Sequence, residues 1–204
     1  MKRSGAGIPE TPIPRPDEVG AVSAIAIDFE TASTSRASAC AVGLAWVAND
    51  RVVHTAHRLI RPPELRFDPF AISIHGIRPE MVVDKPEFPE IWREIAPHLG
   101  GALLLAHNAA FDMSVLRAIL EVYGLPRPTV RSLCTVKVAR HVWPALPHHR
   151  LPDVAGHLGI RLHHHNAASD AGACAEIALS AARARALPGV TALPEHLGIV
   201  PGWL

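Results

Sequence analysis

The chain of 204 residues is 49% hydrophobic and 19% charged, which excludes an intrinsically disordered protein and suits one globular domain. Its formal net charge of +1 argues against strong bulk attraction to duplex phosphates, although it leaves room for a local basic groove. No apolar run approaches the ~20 residues of a membrane-spanning helix, so we expect no membrane association.

Cysteine usage and the distribution of proline and glycine bound the location and the domain organisation. Cys40, Cys134 and Cys174 are scattered and form no CxxC site, and Met1 is followed by no apolar signal core, so we expect a cytoplasmic protein. Residues 1–20 are rich in proline and glycine and predict a mobile arm. Residues 21–187 then form the predicted domain, and residues 188–204 form a second Pro- and Gly-rich tail.

The first half of the domain predicts a strand, a hairpin and two helices. The apolar run Val22–Ile27 is typical of a buried central strand. Ala41–Ala48 and Val52–Ile60 flank the turn pair Asn49-Asp50 and predict antiparallel strands beside the first. Helical patterns follow over Phe70–Ile74 and Phe88–Leu99.

The second half returns to buried strand and helix patterns in alternation. Ala102–Ala106 predicts a second buried strand, Ala109–Tyr123 carries helical spacing, and His163–Asn166 is a loop or short strand. Strands alternating with helices after an opening hairpin predict a three-layer α/β domain with a mixed sheet. Further helices are predicted over Thr135–Val142, Pro152–Leu158 and Ala167–Ala186.

Four acidic residues lie at element boundaries rather than on polar surfaces. Asp28 and Glu30 end the first strand two residues apart, so their side chains share one face. Asp112 and Asp170 lie in the first turns of two predicted helices, where an acidic residue taken singly is more often a cap or a partner of the helix dipole. Because functional groups gather at the carboxyl ends of strands in open α/β sheets, the joint pattern favours an all-oxygen site for Mg²⁺ or Mn²⁺. Four carboxylates are enough for two metal ions.

Three separated segments resemble the motifs of the DnaQ-like, or DEDDh, 3′-5′ exonucleases. Ile27–Thr31 resembles D-x-E-T, His107–Asp112 resembles H-N-x-x-F-D, and His165–Ala171 resembles H-x-A-x-x-D-A. Ile74–Ile77 is similar to the I-H-G-I loop of epsilon-like proofreading members. The resemblance implies a ribonuclease H-like fold, a three-layer α/β domain with a central mixed five-stranded sheet. It makes residues 21–187 an exonuclease domain.

The resemblance implies a role for each motif residue. Asp28 would bridge two divalent metal ions, Mg²⁺ or Mn²⁺; Glu30 and Asp170 would complete the first metal site, and Asp112 would hold the second. His165 would be the general base, because in the run of three histidines only it precedes Asp170 by five residues. The alternative interpretations of the histidine run 163–165 are a solvated loop and a zinc cluster.

Six further residues are candidates for binding the substrate, and most have a structural alternative. Thr31 is equally a turn or cap residue, Phe29 and Phe111 suit core packing, Asn108 suits a helix cap, and a structural role fits His75 as well as a place in the cleft. The candidates for substrate binding are Thr31, Phe29, His107, Asn108, Phe111 and His75.

The resemblance also implies the reaction and the partner. The enzyme would release nucleoside 5′-monophosphates from single-stranded or frayed nucleic-acid 3′ ends, with DNA favoured over RNA because the I-H-G-I loop is epsilon-like. The alternatives are a 3′-5′ exoribonuclease acting on short RNA or RNA tails, and a non-catalytic subunit that holds a 3′ end or a DNA polymerase. A DNA polymerase is the protein partner that the resemblance suggests.

Overall fold

One mixed sheet of six strands organises residues 9–204, the part of the chain that the computed structural model describes. The strands lie in the order β3-β2-β1-β4-β5-β6. They are β1 (Ala24–Thr31), β2 (Ala39–Ala48), β3 (Arg51–Leu59), β4 (Leu103–Ala106), β5 (Arg131–Cys134) and β6 (Gly202–Trp203).

Nine α-helices connect or follow these strands within residues 9–204. They are α1 (Pro16–Val19), α2 (Pro69–His75), α3 (Pro79–Val82), α4 (Phe88–Ile95), α5 (Ala109–Val122), α6 (Thr135–Val142), α7 (Leu151–Leu158), α8 (Ala167–Ala184) and α9 (Leu193–His196). Single 3₁₀ turns extend α4 over Ala96–His98 and precede α9 over Val190–Ala192.

Strand β1 is the centre of the sheet because apolar residues cover both of its faces. It pairs antiparallel with β2 and parallel with β4. Its odd-numbered residues Ile25, Ile27 and Phe29 pack in a core with α4 and α5, whereas Ala24 and Ala26 pack against α8. Small residues on the second face allow the alanine-rich α8 to lie close to the sheet. The predicted three-layer α/β class with a mixed sheet is confirmed.

The predicted hairpin is confirmed, and its turn is Asn49-Asp50. Both turn residues have positive φ, 50° and 56°, the backbone that two-residue hairpins with right-handed twist require. The six predicted helices are present as α2, α4, α5, α6, α7 and α8, within a few residues of the expected bounds, whereas the short helices α1, α3 and α9 were not predicted.

The prediction of five strands was wrong by one, and the sequence pattern missed two short strands. Strand β5, with the sequence RSLC, is too short and polar to show a periodic signal, and β6 has only two residues, Gly202 and Trp203. Both exist because parallel pairing with β4 orders β5, which then orders β6. The segment His163–Asn166 is a turn rather than a strand.

The two Pro- and Gly-rich ends contact the domain where the structure describes them. Residues 1–8 of the predicted arm lie outside the described residues. Thr11 pairs with His57 of β3, and the side chain of Glu10 accepts hydrogen bonds from Leu59 N–H and from Lys85. In the tail, Leu193 and Ile199 are buried against α8 and its neighbours.

Within residues 9–204, no helix combines the length and the apolar character that crossing a membrane requires.

Candidate active site

The face of β1 that carries the carboxylates of Asp28 and Glu30 is turned toward α8. Asp28 and Glu30 follow Ala24 and Ala26 on the same face of the strand, because successive side chains alternate between faces. That face is the one covered by α8, the helix whose first turn holds Asp170. Both β1 carboxylates are half-buried, and Asp170 is buried.

A glycine in β2 allows the beginning of α8 to come next to Asp28. Gly43 is paired with Asp28 in the sheet. A Cβ built on Gly43 would lie 1.9 Å from the carbonyl oxygen of Ala167, the first residue of α8. Only glycine fits this contact. The result is that carboxylate oxygens of Asp28, Glu30 and Asp170 all lie within 4.8 Å of one another.

Asp112 joins the acidic group from α5, on the other side of β1 from α8. It lies in the first turn of α5, is buried, and accepts a hydrogen bond of 3.1 Å from the backbone N–H of Phe29. This bond ties the start of α5 to β1 between Asp28 and Glu30. The structure therefore brings the four predicted acidic residues to one edge of the sheet.

The pKa values of the four carboxyls reflect burial and mutual repulsion. Burial, followed by the charges of Asp112, Glu30 and Asp170, raises the pKa of Asp28 well above its ordinary value. Burial and the same kind of repulsion raise the pKa of Glu30 to about 8. Burial raises the pKa of Asp112 to about 7, although hydrogen bonds from the backbone N–H groups of Phe29 and Asp112 oppose this. Burial also raises the pKa of Asp170, against the hydrogen bond from His165 N–H. The group therefore resists holding four negative charges on its own.

One oxygen of Asp170 indicates how the charge is balanced. Its Oδ2 accepts the backbone N–H of His165 at 3.0 Å and lies 3.2 Å from Nδ1 of His164. Its Oδ1 is buried and has no hydrogen-bond partner among the described residues. A buried acceptor without a donor is costly, and a hard cation bound by oxygens removes that cost. The donor set of Asp28, Glu30, Asp112 and Asp170 therefore fits divalent metal ions such as Mg²⁺ or Mn²⁺.

The histidine run lies directly beside Asp170. His165 has a left-handed backbone with φ of 67°, and its half-buried ring stacks on that of His164, with centroids 3.9 Å apart. Burial, followed by the charge of His164, lowers the pKa of His165, while Asp170 opposes the shift. Nitrogens of His164 and His165 and an oxygen of Asp170 also lie within 4.8 Å of one another. His163 is not part of this group. Its backbone N–H donates a hydrogen bond to Ser169 Oγ at 2.8 Å.

A pocket of about 590 Å³ beside Glu30 contains two of the predicted substrate-binding residues, Thr31 and Phe111. The guanidinium of Arg36 lies 4.4 Å above the ring of Phe111. The exposed side chains of Phe70 and Ile74 form the outer wall. This end of the site is therefore mostly apolar, with a cation over an aromatic ring.

His75 supports this pocket from behind instead of lining it. The ring is buried; Ile77 N–H donates to its Nδ1 at 3.0 Å, so Nε2 carries the proton and donates to the carbonyl oxygen of Thr31 at 3.2 Å. Burial lowers the pKa of His75. Both ring nitrogens are used inside the protein, which gives His75 a positioning role.

A larger cleft of about 1290 Å³, the main cleft, opens on the other side of the carboxylates. Asp28 and Asp170 line it together with His107 and Asn108. His107 Nε2 donates to the carbonyl oxygen of His149 at 3.0 Å, and burial lowers the pKa of His107 to about 4. Asn108 is exposed, has φ of 72° and makes no side-chain cap hydrogen bond, so its amide faces the cleft.

Phe29 is placed away from this site, against our prediction of substrate contact. Its side chain is only 3% exposed and packs against Phe88, with ring centroids 6.3 Å apart. The reason is the alternation of β1, which turns Phe29 away from the face of Asp28 and Glu30.

Sequence reasoning missed residues that have no motif. Arg36 lies in the Ser- and Ala-rich segment after β1, and Arg140 reaches the main cleft from α6. The contact of Gly43 with Ala167 joins positions more than a hundred residues apart in the chain. No local pattern signals any of these.

A family model described as exonuclease matches residues 25–178 of this chain. The PolC-type DNA polymerase III of Caldanaerobacter subterraneus is 31% identical over 158 residues, 75% of this chain and 11% of that protein. The epsilon subunit of Escherichia coli DNA polymerase III is 32% identical over 107 residues, 50% of this chain and 44% of that protein. The chain thus spans less than half the length of these curated relatives.

Solved structures share the fold. Exonuclease X, solved in complex with 5′ overhanging duplex DNA, has a TM-score of 0.66 and 25% identity over 81% of this chain and 94% of its own. The nuclease domain of 3′hExo, a DEDDh family member bound to rAMP, has a TM-score of 0.66 over 87% of this chain and 94% of its own. At 16% identity this second likeness concerns the fold alone. The ribonuclease H-like fold class is confirmed.

Proposed function

Because the chain belongs to the exonuclease family, as a DnaQ-like (DEDDh) member, we propose that it removes nucleoside 5′-monophosphates from DNA 3′ ends. The substrate is a single strand or a frayed duplex end. The observation that carries the proposal is the carboxylate group, in which oxygens of Asp28, Glu30 and Asp170 lie within 4.8 Å and Asp170 Oδ1 is buried without a donor. Residues 21–187 form the catalytic domain in this proposal.

Four side chains would hold two divalent metal ions, Mg²⁺ or Mn²⁺. Asp28 is central, since Asp112, Glu30 and Asp170 all act on its pKa. Glu30 and Asp170 would hold one ion together with Asp28, and Asp112 would help to hold the other. When bound, such ions supply an activated water and stabilise the leaving 3′ oxygen.

His165 is the general base in this proposal. Its lowered pKa keeps the imidazole neutral near neutral pH, so a ring nitrogen can accept the proton of the attacking water. Two contacts hold His165 at the site: its backbone N–H donates a hydrogen bond to Asp170, and its ring stacks on that of His164. His164 orients both Asp170 and His165.

The pocket beside Glu30 would receive the terminal nucleoside. Its exposed Phe70 and Ile74 and the ring of Phe111 offer apolar surface to a base. Thr31 stands at the edge of β1 with its carbonyl held by His75, which leaves its hydroxyl for the sugar. On the other side, Asn108 faces the main cleft as a polar contact.

DNA is favoured over RNA because the curated relatives named above are DNA polymerase III proteins. A DNA polymerase is by the same reasoning the partner to test first, and a cytoplasmic location stays a prediction. An exoribonuclease and a non-catalytic binding subunit are the alternatives. Retention of all four carboxylates and His165 argues against the non-catalytic one.

The test uses 5′-labelled single-stranded DNA and RNA of matched sequence. Each is incubated with the protein in Mg²⁺, in Mn²⁺ or in EDTA, beside Asp28→Ala and the control Asp17→Ala, an exposed carboxylate in α1. We expect a ladder that shortens from the 3′ end, is lost in EDTA and in Asp28→Ala, and persists in Asp17→Ala. Faster cleavage of RNA would overturn the DNA assignment. No ladder on either polymer would overturn the exonuclease.

A further inference from the structure

The main cleft continues into a second, basic groove that leads away from the carboxylates. A cavity of about 340 Å³ shares Asn108, Val136 and Arg140 with the main cleft. The two are therefore one continuous depression, with Asp28 and Asp170 at one end. We call the second part the distal groove and define it by Asn108, Arg140, Lys137, Arg117, Val200 and Trp203.

Positive charge in the distal groove is unbalanced by local acids. Arg140, Lys137 and Arg117 line it, and none of them takes part in an ion pair within residues 9–204. The described wall of the groove contains no carboxylate. In a chain whose formal net charge is +1, three unpaired cations in one groove form a local site for anions.

An exposed tryptophan stands at the far end of the groove on a fixed backbone. Trp203 is 60% exposed, although its main chain pairs with Arg131 of β5 and its carbonyl accepts a hydrogen bond of 3.2 Å from Arg117. The next residue, Leu204, donates to the carbonyl of Val130. The ring therefore remains in solvent while the backbone that carries it is held from both sides. A rigid, exposed aromatic beside cations is the usual platform for a nucleobase.

We propose that the distal groove binds the nucleotides on the 5′ side of the scissile phosphate. Arg140, Lys137 and Arg117 contact their phosphates, and Trp203 stacks on one base. The inference rests on the proposed exonuclease function, since the terminal nucleoside occupies the apolar pocket beside Glu30. With the scissile phosphate at the carboxylates, the rest of the strand leaves by the opposite opening, the main cleft.

The consequence is that hydrolysis depends on substrate length. Steady-state kinetics are measured on a series of oligodeoxythymidylates from the dinucleotide to about twelve residues, together with the 4-nitrophenyl ester of thymidine 5′-monophosphate. We expect kcat/KM to rise with length until the strand reaches Trp203 and then to level off. In Trp203→Ala this gain should shrink about tenfold, while Trp203→Phe, which keeps a stacking ring, should retain most of it.

The cations are tested by the salt dependence of KM on the longest oligonucleotide. Each lost phosphate contact lowers the slope of log KM against log salt by about 0.7 for a single strand. We expect this change in Lys137→Ala and in Arg140→Ala. Arg51→Ala is the matched control, because it removes one exposed positive charge at β3, the opposite edge of the sheet.

Different outcomes separate this inference from the function on which it rests. Hydrolysis of the ester and of short substrates without any gain from length, or an equal loss at every length in Trp203→Ala, would overturn the distal groove and keep the exonuclease. Absence of hydrolysis on every substrate would overturn the exonuclease. In that case, anisotropy of labelled twelve-residue oligodeoxythymidylate decides: weaker binding by Trp203→Ala supports the groove, and equal binding overturns it. Thermal melts confirm that each variant folds.

Discussion

Gly43→Ala tests how closely α8 must approach the sheet. In the wild type, the position of the new methyl group is 1.9 Å from the carbonyl oxygen of Ala167 and 2.4 Å from the backbone nitrogen of Ala168. Ordinary contacts begin near 3.4 Å, so the beginning of α8 must move by roughly 1.5 Å. Backbone atoms cannot rotate away as a flexible side chain would. The displaced segment lies three residues before Asp170, the buried ligand candidate.

Two losses are expected from this movement. Overpacking of a closely packed interior costs typically 1–3 kcal/mol, and rigid backbone on both sides places this case at about 3 kcal/mol. For a chain of this size that lowers Tm by roughly 6–12 °C. A displacement of about 1 Å at a catalytic group costs on the order of a hundredfold in rate, so kcat should fall by about that factor at temperatures where the variant is folded.

The matched control is Gly172→Ala in the same helix. Its new methyl group meets only the methyl group of Thr55, at 3.9 Å, which is ordinary contact. Alanine is favoured over glycine inside a helix by about 1 kcal/mol, so Tm should be unchanged or slightly higher. Thermal melts and exonuclease assays on both variants check the reasoning. If Gly43→Ala keeps the Tm and kcat of the wild type, the close contact of β2 with α8 does not position Asp170.

Three further variants test electrostatics and support. In EDTA, Glu30→Gln should raise Tm at pH 8 and leave it unchanged near pH 4. Burial and neighbouring charges raise the pKa of Glu30 from 4.5 to about 8, so the folded state binds this proton more tightly and the free energy of unfolding falls by at most about 4 kcal/mol as pH rises between those values. An equal Tm for variant and wild type at pH 8 would contradict this, and Mn²⁺ should remove the difference. His75→Ala should lower the free energy of unfolding by about 2 kcal/mol in urea titrations, because it removes two buried hydrogen bonds, one to the carbonyl of Thr31 and one from the N–H of Ile77. A loss below about 0.5 kcal/mol would refute the positioning role. Glu10→Ala should speed proteolysis near residues 9–15, since the carboxylate of Glu10 accepts hydrogen bonds from Leu59 N–H and from Lys85. Unchanged cleavage kinetics would argue that the backbone pairing of Thr11 alone holds the segment.

Local signals in the sequence were sufficient to identify the four acidic residues of the candidate site. Asp28 and Glu30 could be placed on one face because a strand repeats every two residues, and the apolar run before them identified the strand as buried. Asp112 and Asp170 followed from their places at the starts of helices. The motifs around these residues then implied that the four belong together, and the structure brings them to one edge of the sheet.

The same alternation that placed the carboxylates should have removed Phe29 from the candidates for substrate binding. It lies between Asp28 and Glu30, so its side chain must face the other side of β1, where it packs on Phe88. The motif drew attention to the residue, whereas the period of the strand decided its position. Where a motif and a period disagree about one side chain, the period is the stronger physical argument.

What the sequence determined by itself was the longer strands and helices and the four acidic residues that meet at the candidate site, because both depend on periodicity and spacing within short segments. Only the tertiary structure decided the sixth strand, the contact of Gly43 with Ala167 and the groove that ends at Trp203. Each of these joins segments far apart in the chain, and their pairing depends on which surfaces fit together in three dimensions. A short strand such as β6 carries no periodic signal, and a glycine shows its purpose only when its neighbour in space is known.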